Sequence, residues 1–194
     1  MAQFKSYDPS IEILGNDILA PLQGMGAFKK MAEDILASVG LGQIVADGKH
    51  WYPLQSYLDA FKIISERTGD ATLTQIGKKV METAVLPPIN SIEEALGLMD
   101  IAYHMNYRNA KGQVLFDPSR NPAILEGIGH YACTLDGSKH QAVMVCSSPF
   151  PCAYDRGIVT EFARRYQPKV VVKHDENGGC RKKGADACQY IVTW

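Results

Sequence analysis

The hydrophobic residues of this chain repeat with one period in its first half and with another in its second. Before about residue 108 they recur every three or four positions, the spacing of one helix face, and after residue 109 several segments alternate as strands do. Helices followed by strands predict an α+β fold, in which helices pack on an antiparallel sheet. We therefore expect an N-terminal helical subdomain at residues 1–108 and an α/β subdomain at residues 109–194, which together form one domain.

Three segments of the first half have the pattern of amphipathic helices. Their apolar positions are Phe28, Met31, Ile35 and Val39 in the first, Leu54, Leu58, Phe61 and Ile64 in the second, and Leu73, Ile76 and Val80 in the third. Gly69 is placed to end the second helix, and Pro87-Pro88 the third. Ser91 and Glu94 have the spacing of a capping box, which predicts the start of a fourth helix.

The second half has the pattern of strands around one helix. The segments GHYACTL and HQAVMVCSS alternate, and Asp136-Gly137 between them favours a hairpin. The segment DRGIVTEFARRY returns to helical spacing, with Asp155 as the predicted N-cap. Two further strands are predicted at PKVVVKH and CQYIVTW. In the last, Cys188, Tyr190, Val192 and Trp194 alternate onto one face.

Composition excludes several functional classes. The 20 basic and 21 acidic residues nearly balance, so no surplus of positive charge predicts a nucleic-acid partner. No apolar run approaches the ~20 residues that span a bilayer, which argues against a membrane protein. The start MAQFKSYDPSIEIL lacks a secretory pattern. Five cysteines without a secretory context predict a reducing compartment, and we expect a cytoplasmic protein.

The ending VVVKHDENGGCRKKGADACQYIVTW suggests a metal site. Cys180 and Cys188 flank a basic loop in which Gly184 allows a sharp turn, and His174 precedes them. Zinc takes four such ligands in tetrahedral array. Cys152 is a further candidate, because the start of a helix and nearby basic residues both favour its thiolate.

Simpler interpretations compete with the metal site. A strand cysteine is most often a small buried apolar residue, the role that we assign to Cys133 and Cys146. Cys-x7-Cys is not a standard zinc-finger spacing. His174 alone would fit a histidine on the surface of an edge strand.

Residues 152–194 resemble the C-terminal part of the 4-vinyl reductase domain family, with CRKKGADAC as the specific element. That family includes the vinyl reductase of bacteriochlorophyll synthesis, effector-sensing domains of bacterial activators for phenol and xylene breakdown and, more distantly, Golgi tethering subunits. In the aromatic-sensing members a Cys, an acidic residue and a Cys-x7-Cys pair bind structural zinc. The resemblance thus implies Cys152, Cys180 and Cys188 as zinc ligands.

The fourth ligand departs from that pattern. The acidic residue of the family lies three positions before the Cys pair, where this chain has Asn177, so His174, Asp175 and Glu176 remain alternatives. Haem NO/oxygen-binding (H-NOX) domains belong to the same superfamily, and some carry a zinc site of three Cys and one His. By that analogy His174 is the preferred ligand.

The first half is faintly similar to the helical region of H-NOX domains, with His104 near the position of their axial haem ligand. Their Tyr-x-Ser-x-Arg motif, which holds the haem propionates, is not intact, since the segment at Tyr131 keeps only the Tyr. The resemblance therefore implies haem less strongly than it implies zinc.

These features predict a bacterial sensor domain that binds a hydrophobic, aromatic or tetrapyrrole-like ligand in an internal pocket. The pocket candidates are His104, Tyr103, Met99, Phe61, Tyr57 and Phe28. Zinc would be structural, because four protein ligands leave no open position. We expect a homodimer and a protein signalling partner, by analogy. The alternatives are a haem-based gas sensor with His104 as axial ligand, and a tetrapyrrole vinyl-reductase-type enzyme or carrier. No catalytic residues are predicted.

Overall fold

Seven strands and six helices make up the described part of the chain. The computed structural model describes residues 3–19, 22, 24–84 and 88–194. The strands are β1 (Glu12–Leu14), β2 (Trp51–Pro53), β3 (Tyr107–Arg108), β4 (Tyr131–Asp136), β5 (Gln141–Cys146), β6 (Val171–Asp175) and β7 (Cys188–Thr193). The helices are α1 (Gly15–Ile18), α2 (Lys29–Ser38), α3 (Leu54–Thr68), α4 (Asp70–Thr83), α5 (Ile92–His104) and α6 (Cys152–Arg164). The predicted α+β class is confirmed.

The predicted helices of the first half are present, with one error in the apolar face. Phe28 is 56% exposed and lies in a 3-10 turn before α2, so its place among the core and pocket candidates is wrong. Gly69 separates α3 from α4 with a φ of +75°, a conformation that glycine adopts without strain. Of the predicted stop at Pro87-Pro88, Pro87 lies outside the described residues, and α4 ends at Thr83.

The cap of α5 is confirmed in its main contact. The Ser91 hydroxyl accepts a hydrogen bond from the backbone N–H of Glu94 at 3.1 Å. The Glu94 carboxylate accepts from the N–H of Asn90 at 2.9 Å, one residue before the position that the capping box predicts. One orphan donor of the first turn, the N–H of Glu94, is thereby satisfied, and the second bond holds the residue before the cap.

The predicted strands form one antiparallel sheet in the order β4-β5-β7-β6. The β4-β5 hairpin turns through Gly137–Lys139, as the Asp-Gly signal predicts. On β7, Cys188, Tyr190 and Val192 are fully buried on one face, whereas Trp194 is half-buried. This sheet consists of the four strands that the sequence predicts after residue 109.

A second sheet, in the order β2-β1-β3, was not predicted. Its strands have only two or three residues each, too few for an alternating pattern to be visible in a sequence. It lies in the segment that we expected to be helical, and β1 connects directly to α1.

The start of α6 differs from the prediction. The helix begins at Cys152, after Pro151, and not at Asp155. Asp155 lies in the first turn with its carboxylate fully buried, so its role as N-cap is wrong. Proline is favoured at a helix start because a first-turn N–H has no partner within the helix.

The two halves share a single cluster of buried side chains, which contains residues from α2 to α5 and from α6, β5 and β7. Helix α4 packs against α6. The division at residues 1–108 and 109–194 stays a prediction. Among the described helices, none is both long and apolar enough to cross a membrane.

Candidate functional site

Three cysteines from distant parts of the chain meet at one point. Cys152 begins α6, Cys180 precedes a 3-10 turn at Arg181–Lys183, and Cys188 begins β7. The Sγ atom of Cys152 lies 2.8 Å from that of Cys188 and 3.9 Å from that of Cys180. All three sulfur atoms lie within 4.8 Å of one another, and all three side chains are buried. The three predicted cysteine ligands are therefore together.

Polar groups surround these sulfur atoms. The backbone N–H of Arg181 donates to Cys188 Sγ at 3.4 Å, and the Gln3 side-chain amide lies 2.7 Å from Cys152 Sγ. The hydrogen bond between the two sulfur atoms lowers the pKa of Cys188 and raises that of Cys152. Cys133, away from the centre, is a contrast: burial alone raises the pKa of its thiol to about 11.

The three thiols fit a zinc ion. Tetrahedral zinc with Zn–S bonds of ~2.3 Å separates its sulfur ligands by roughly 3.8 Å. The 3.9 Å between Cys152 and Cys180 matches that spacing, and the 2.8 Å between Cys152 and Cys188 is shorter. All five cysteines are free thiols. The ion would be held by Cys152, Cys180 and Cys188. It would crosslink α6 to β7.

The three alternatives for the fourth ligand differ in what they already contact. Asp175 accepts from the Asn177 N–H at 3.1 Å and the Gln189 amide at 3.2 Å, and Glu176 pairs with Lys183. The His174 ring stacks on Tyr190 with centroids 4.9 Å apart, and its buried Nε2 has no hydrogen-bond partner within the described residues. His174 is not part of the cluster of converging thiols.

A buried ion pair lies beside the thiols. The carboxylate of Asp155 accepts hydrogen bonds from Tyr131 Oη at 2.6 Å, from Ser148 Oγ at 2.9 Å and from the Arg181 guanidinium. Arg181 also donates to the backbone carbonyl of Ser148. Burial raises the pKa of Asp155 to about 6, against the opposing charge of Arg181. The carboxylate of Asp155, a residue of the chain itself, is thus bound by Tyr131, Ser148 and Arg181.

A cavity of about 510 Å³ lies between the elements of the two halves. Most of the side chains around it are aliphatic or aromatic. The lining residues are Ile13, Leu14, Asn16, Asp17, Leu19, Ala46, Val80, Met81, Ala84, Met99, Ala102, Tyr103, Met105, Asn106, Tyr107, Tyr131, Phe150, Tyr154, Ile158 and Phe162. This size and composition are typical of small-molecule sites, which have volumes of ~300–1,000 Å³.

The predicted pocket residues divide into two sets. Met99 and Tyr103 line the cavity. Tyr57 and Phe61 lie behind the lining, where Phe61 packs against Phe150 with centroids 5.4 Å apart and against Tyr154 at 4.8 Å. They support the wall of the cavity and are not among its lining residues.

His104 is fully buried but is not among the lining residues of the cavity. Its Nδ1 lies 2.7 Å from the backbone carbonyl of Asp100, and its Nε2 has no partner among the described residues. Burial lowers the pKa of His104, which favours the neutral ring. Neighbouring His130 is held between Asp100 and Glu126; burial lowers its pKa, but these two carboxylates outweigh it and raise the value overall.

The sequence did not reveal two of these features. Asp17 lines the cavity from a short helix, and Arg181 is the partner of Asp155. The available signal for Asp17 was an acidic residue within the apolar segment EILGNDIL. The signal for Arg181 is its position next to Cys180, which by itself indicates only a source of positive charge.

Comparison with known proteins gives matches among solved structures. No protein-family model matches the sequence, and no curated protein does. An H-NOX protein from S. oneidensis in the Fe(II) ligation state has a TM-score of 0.65 over 93% of this chain and 95% of that one, at 14% identity. An H-NOX domain from Shewanella oneidensis in the Fe(II)CO state has a TM-score of 0.61 over 91% and 96%, at 17% identity. A mutant of the T. tengcongensis H-NOX protein has a TM-score of 0.60 over 92% and 96%, at 14% identity.

The chain has the H-NOX fold. The predicted H-NOX-like fold is thus confirmed, and membership of the 4-vinyl reductase family stays a prediction. The match covers both halves of the chain.

The described lining of the cavity bears on haem binding, which the sequence ranks below zinc. Haem iron needs an axial ligand, usually a histidine, and the described lining residues include no histidine. They also include no lysine or arginine to pair with propionates. Arg181, with Tyr131 and Ser148, is already bound to Asp155.

Proposed function

We propose that this chain is a sensor domain that binds a small hydrophobic molecule in the cavity between its two halves. The observation that supports this most directly is the 510 Å³ cavity, whose lining is mainly apolar with a few polar groups. Tyr103, Tyr107, Tyr131 and Tyr154 offer large flat surfaces to an aromatic ligand. Because α4, α5 and α6 all contribute lining residues, an occupant would contact the first and second halves together.

Filling the cavity tests this function. N-phenyl-1-naphthylamine, a neutral hydrophobic fluorophore, should bind the native protein saturably, with enhanced emission. In Ala102→Phe the new ring occupies the cavity, and affinity should fall at least about tenfold, since burying a comparable apolar group contributes roughly 1.5–3 kcal/mol. The matched control is Ala71→Phe at an exposed position of α4. Equal affinity of the two variants would contradict binding in this cavity.

We also propose that Cys152, Cys180 and Cys188 bind a structural zinc ion, with His174 as the fourth ligand. The support for His174 is its unpartnered Nε2, because both neighbouring carboxylates already have partners. Neutral histidine nitrogen and thiolate sulfur are the ligands that structural zinc uses most.

Metal analysis tests the zinc proposal. The native protein should contain about one zinc per chain. Cys180→Ser should lose the metal and lower the Tm, whereas Cys133→Ser, a half-buried cysteine outside the centre, should keep both. His174→Ala should weaken zinc retention in a chelator more than Asp175→Ala does. Native protein without zinc, and a Cys180→Ser variant of unchanged Tm, would contradict the site.

The signal would pass to another protein. Ligand binding can shift a domain between conformations only if it binds one of them better, and a cavity lined from both halves provides that difference. Homodimerisation, a protein partner in bacterial signalling and a cytoplasmic location belong to this proposal.

The solved neighbours favour a second candidate, haem binding. H-NOX proteins of this fold were solved in Fe(II), Fe(II)NO and Fe(II)CO states, and one was used to probe haem distortion. The unpartnered Nε2 of His104 also favours it, because a neutral histidine whose Nδ1–H is bound to a carbonyl is ready to ligate a metal. The cavity lining disfavours it. A Soret band that disappears in His104→Ala would place haem binding ahead of the binding of another hydrophobic molecule. The vinyl-reductase alternative stays a prediction.

A further inference from the structure

Asp17 brings a carboxylate to the wall of the cavity. It lies on α1 and lines the cavity together with Asn16. Its Oδ2 atom is buried and has no hydrogen-bond partner within the described residues. A buried carboxylate oxygen without a partner is costly, so natural structures usually provide one. A ligand in the cavity could supply that partner.

The remaining lining residues limit the answer. Asp17 is the only charged side chain among the described residues that line the cavity. Tyr107 and Tyr154 also line the cavity, and the face of an aromatic ring attracts cations and not anions. A carboxylate or phosphate in the cavity would therefore meet a like charge and no compensating cation.

We propose that the ligand of this cavity is a hydrophobic amine whose protonated nitrogen pairs with the carboxylate of Asp17. This inference rests on the proposed ligand-binding function and specifies the class of molecule. The cation would supply the partner that Oδ2 lacks, and the apolar body of the amine would contact the aliphatic and aromatic lining. Burial raises the pKa of Asp17 to about 7, and a bound cation would favour its ionised form.

Three probes of one shape test the proposal: 2-naphthylmethylamine, 2-methylnaphthalene and 2-naphthoate, titrated calorimetrically into the full chain at pH 8. The amine should bind native protein at least about tenfold more tightly than the naphthoate, as expected for a hydrogen bond between charged groups. Asp17→Asn should weaken amine binding about tenfold and change methylnaphthalene binding less than about twofold. Asp34→Asn, an exposed carboxylate on α2 that pairs with Lys30, is the matched control and should change neither.

The outcomes separate the two proposals. If native protein binds the naphthoate as tightly as the amine, the amine assignment is overturned, and the cavity is still a ligand site. This comparison needs no variant. Unchanged amine affinity in a folded Asp17→Asn variant would do the same. If none of the three probes binds, the ligand-binding function fails with it.

Discussion

Arg181 places a positive charge in the interior between Asp155 and the sulfur atoms. Its side chain is fully buried, and both its charge partner and its carbonyl partner, Ser148, are buried too. Such a pair does not stabilise a fold much by itself, because desolvation of both charges offsets their attraction. Removal of one member destabilises the fold strongly, because the other then stays charged, buried and unpaired.

We expect Arg181→Ala to lower the free energy of unfolding by about 3–5 kcal/mol, measured by urea denaturation. Arg156→Ala is the control, because Arg156 is an exposed residue of the same helix, α6. The control should change stability by less than about 0.5 kcal/mol. A similar small effect in both variants would show that the ion pair with Asp155 is not formed.

Asp17 predicts a pH dependence of stability. Burial raises its pKa to about 7 in the folded chain, whereas an unfolded Asp titrates near ~3.9. The folded state therefore binds the proton more tightly, and the stability that this provides is complete below pH ~4 and is lost as pH rises to about 7. The nearby phenols of Tyr57, Tyr107 and Tyr154 have pKa values raised well above 10 and do not titrate there.

Comparison of the native protein with Asp17→Asn isolates this group from others that titrate in the same range. The free energy of unfolding of the variant, relative to the native protein, should increase by on the order of 4 kcal/mol between pH 4 and pH 8. Chemical denaturation at four pH values measures it. Parallel curves for the two proteins would mean that Asp17 has an ordinary pKa in the folded state.

At the scale of elements, a pair of glycines sets the distance between α4 and α6. A methyl group added at Gly77 would overlap the carbonyl oxygen of Tyr154, and one added at Gly157 would overlap that of Thr74. The backbones of the two helices thus touch, where larger side chains would hold helix axes 8–10 Å apart. Both helices also line the cavity, so this contact fixes part of its wall.

Gly77→Ala and Gly157→Ala should each destabilise the protein by about 1–3 kcal/mol, because the added methyl group forces the helices apart. Gly97→Ala on α5 is a matched control, since an added Cβ there meets nothing within 4 Å. It should stabilise by up to about 1 kcal/mol through helix propensity. Thermal unfolding measures whether each substitution lowers or raises the Tm. A higher Tm for Gly77→Ala would contradict the close contact between the helices.

The elements differed in how well the sequence predicted them. Helix α3 and strand β7 were predicted because each buries one face, with Leu54 and Leu58 at helical spacing and Cys188 and Tyr190 at strand spacing. Strands β1, β2 and β3 are too short to show a period. The start of α6 was misplaced at Asp155 because an Asp before an apolar run is also the pattern of a first-turn acid, and tertiary contacts with Arg181 decide between the two.

At the scale of the whole molecule, the candidate site was predictable only in part. The three cysteines could be found from chemistry and spacing, because few residue types bind zinc. The cavity could not, because it is bounded by segments from Ile13 to Phe162 whose contacts depend on the relative placement of the two halves. Periodicity predicts which face of each helix is buried, but not which other helix that face packs against.

The contacts between the halves also predict how the molecule unfolds. Helix α4 packs on α6 and helix α5 on β4, and one buried cluster extends through residues on both sides of residue 109. Neither half alone would cover the apolar surface that it buries against the other. Loss of one half should therefore expose the core of the other, and we expect a single cooperative transition.

The two tryptophans test this directly, because Trp51 lies on β2 and Trp194 at the end of β7. Fluorescence of Trp194→Phe reports on the first half and that of Trp51→Phe on the second. In each variant the fluorescence midpoint in urea should coincide with that of far-ultraviolet circular dichroism, which reports on the whole chain. Separate midpoints within a variant would show that residues 1–108 and 109–194 unfold independently.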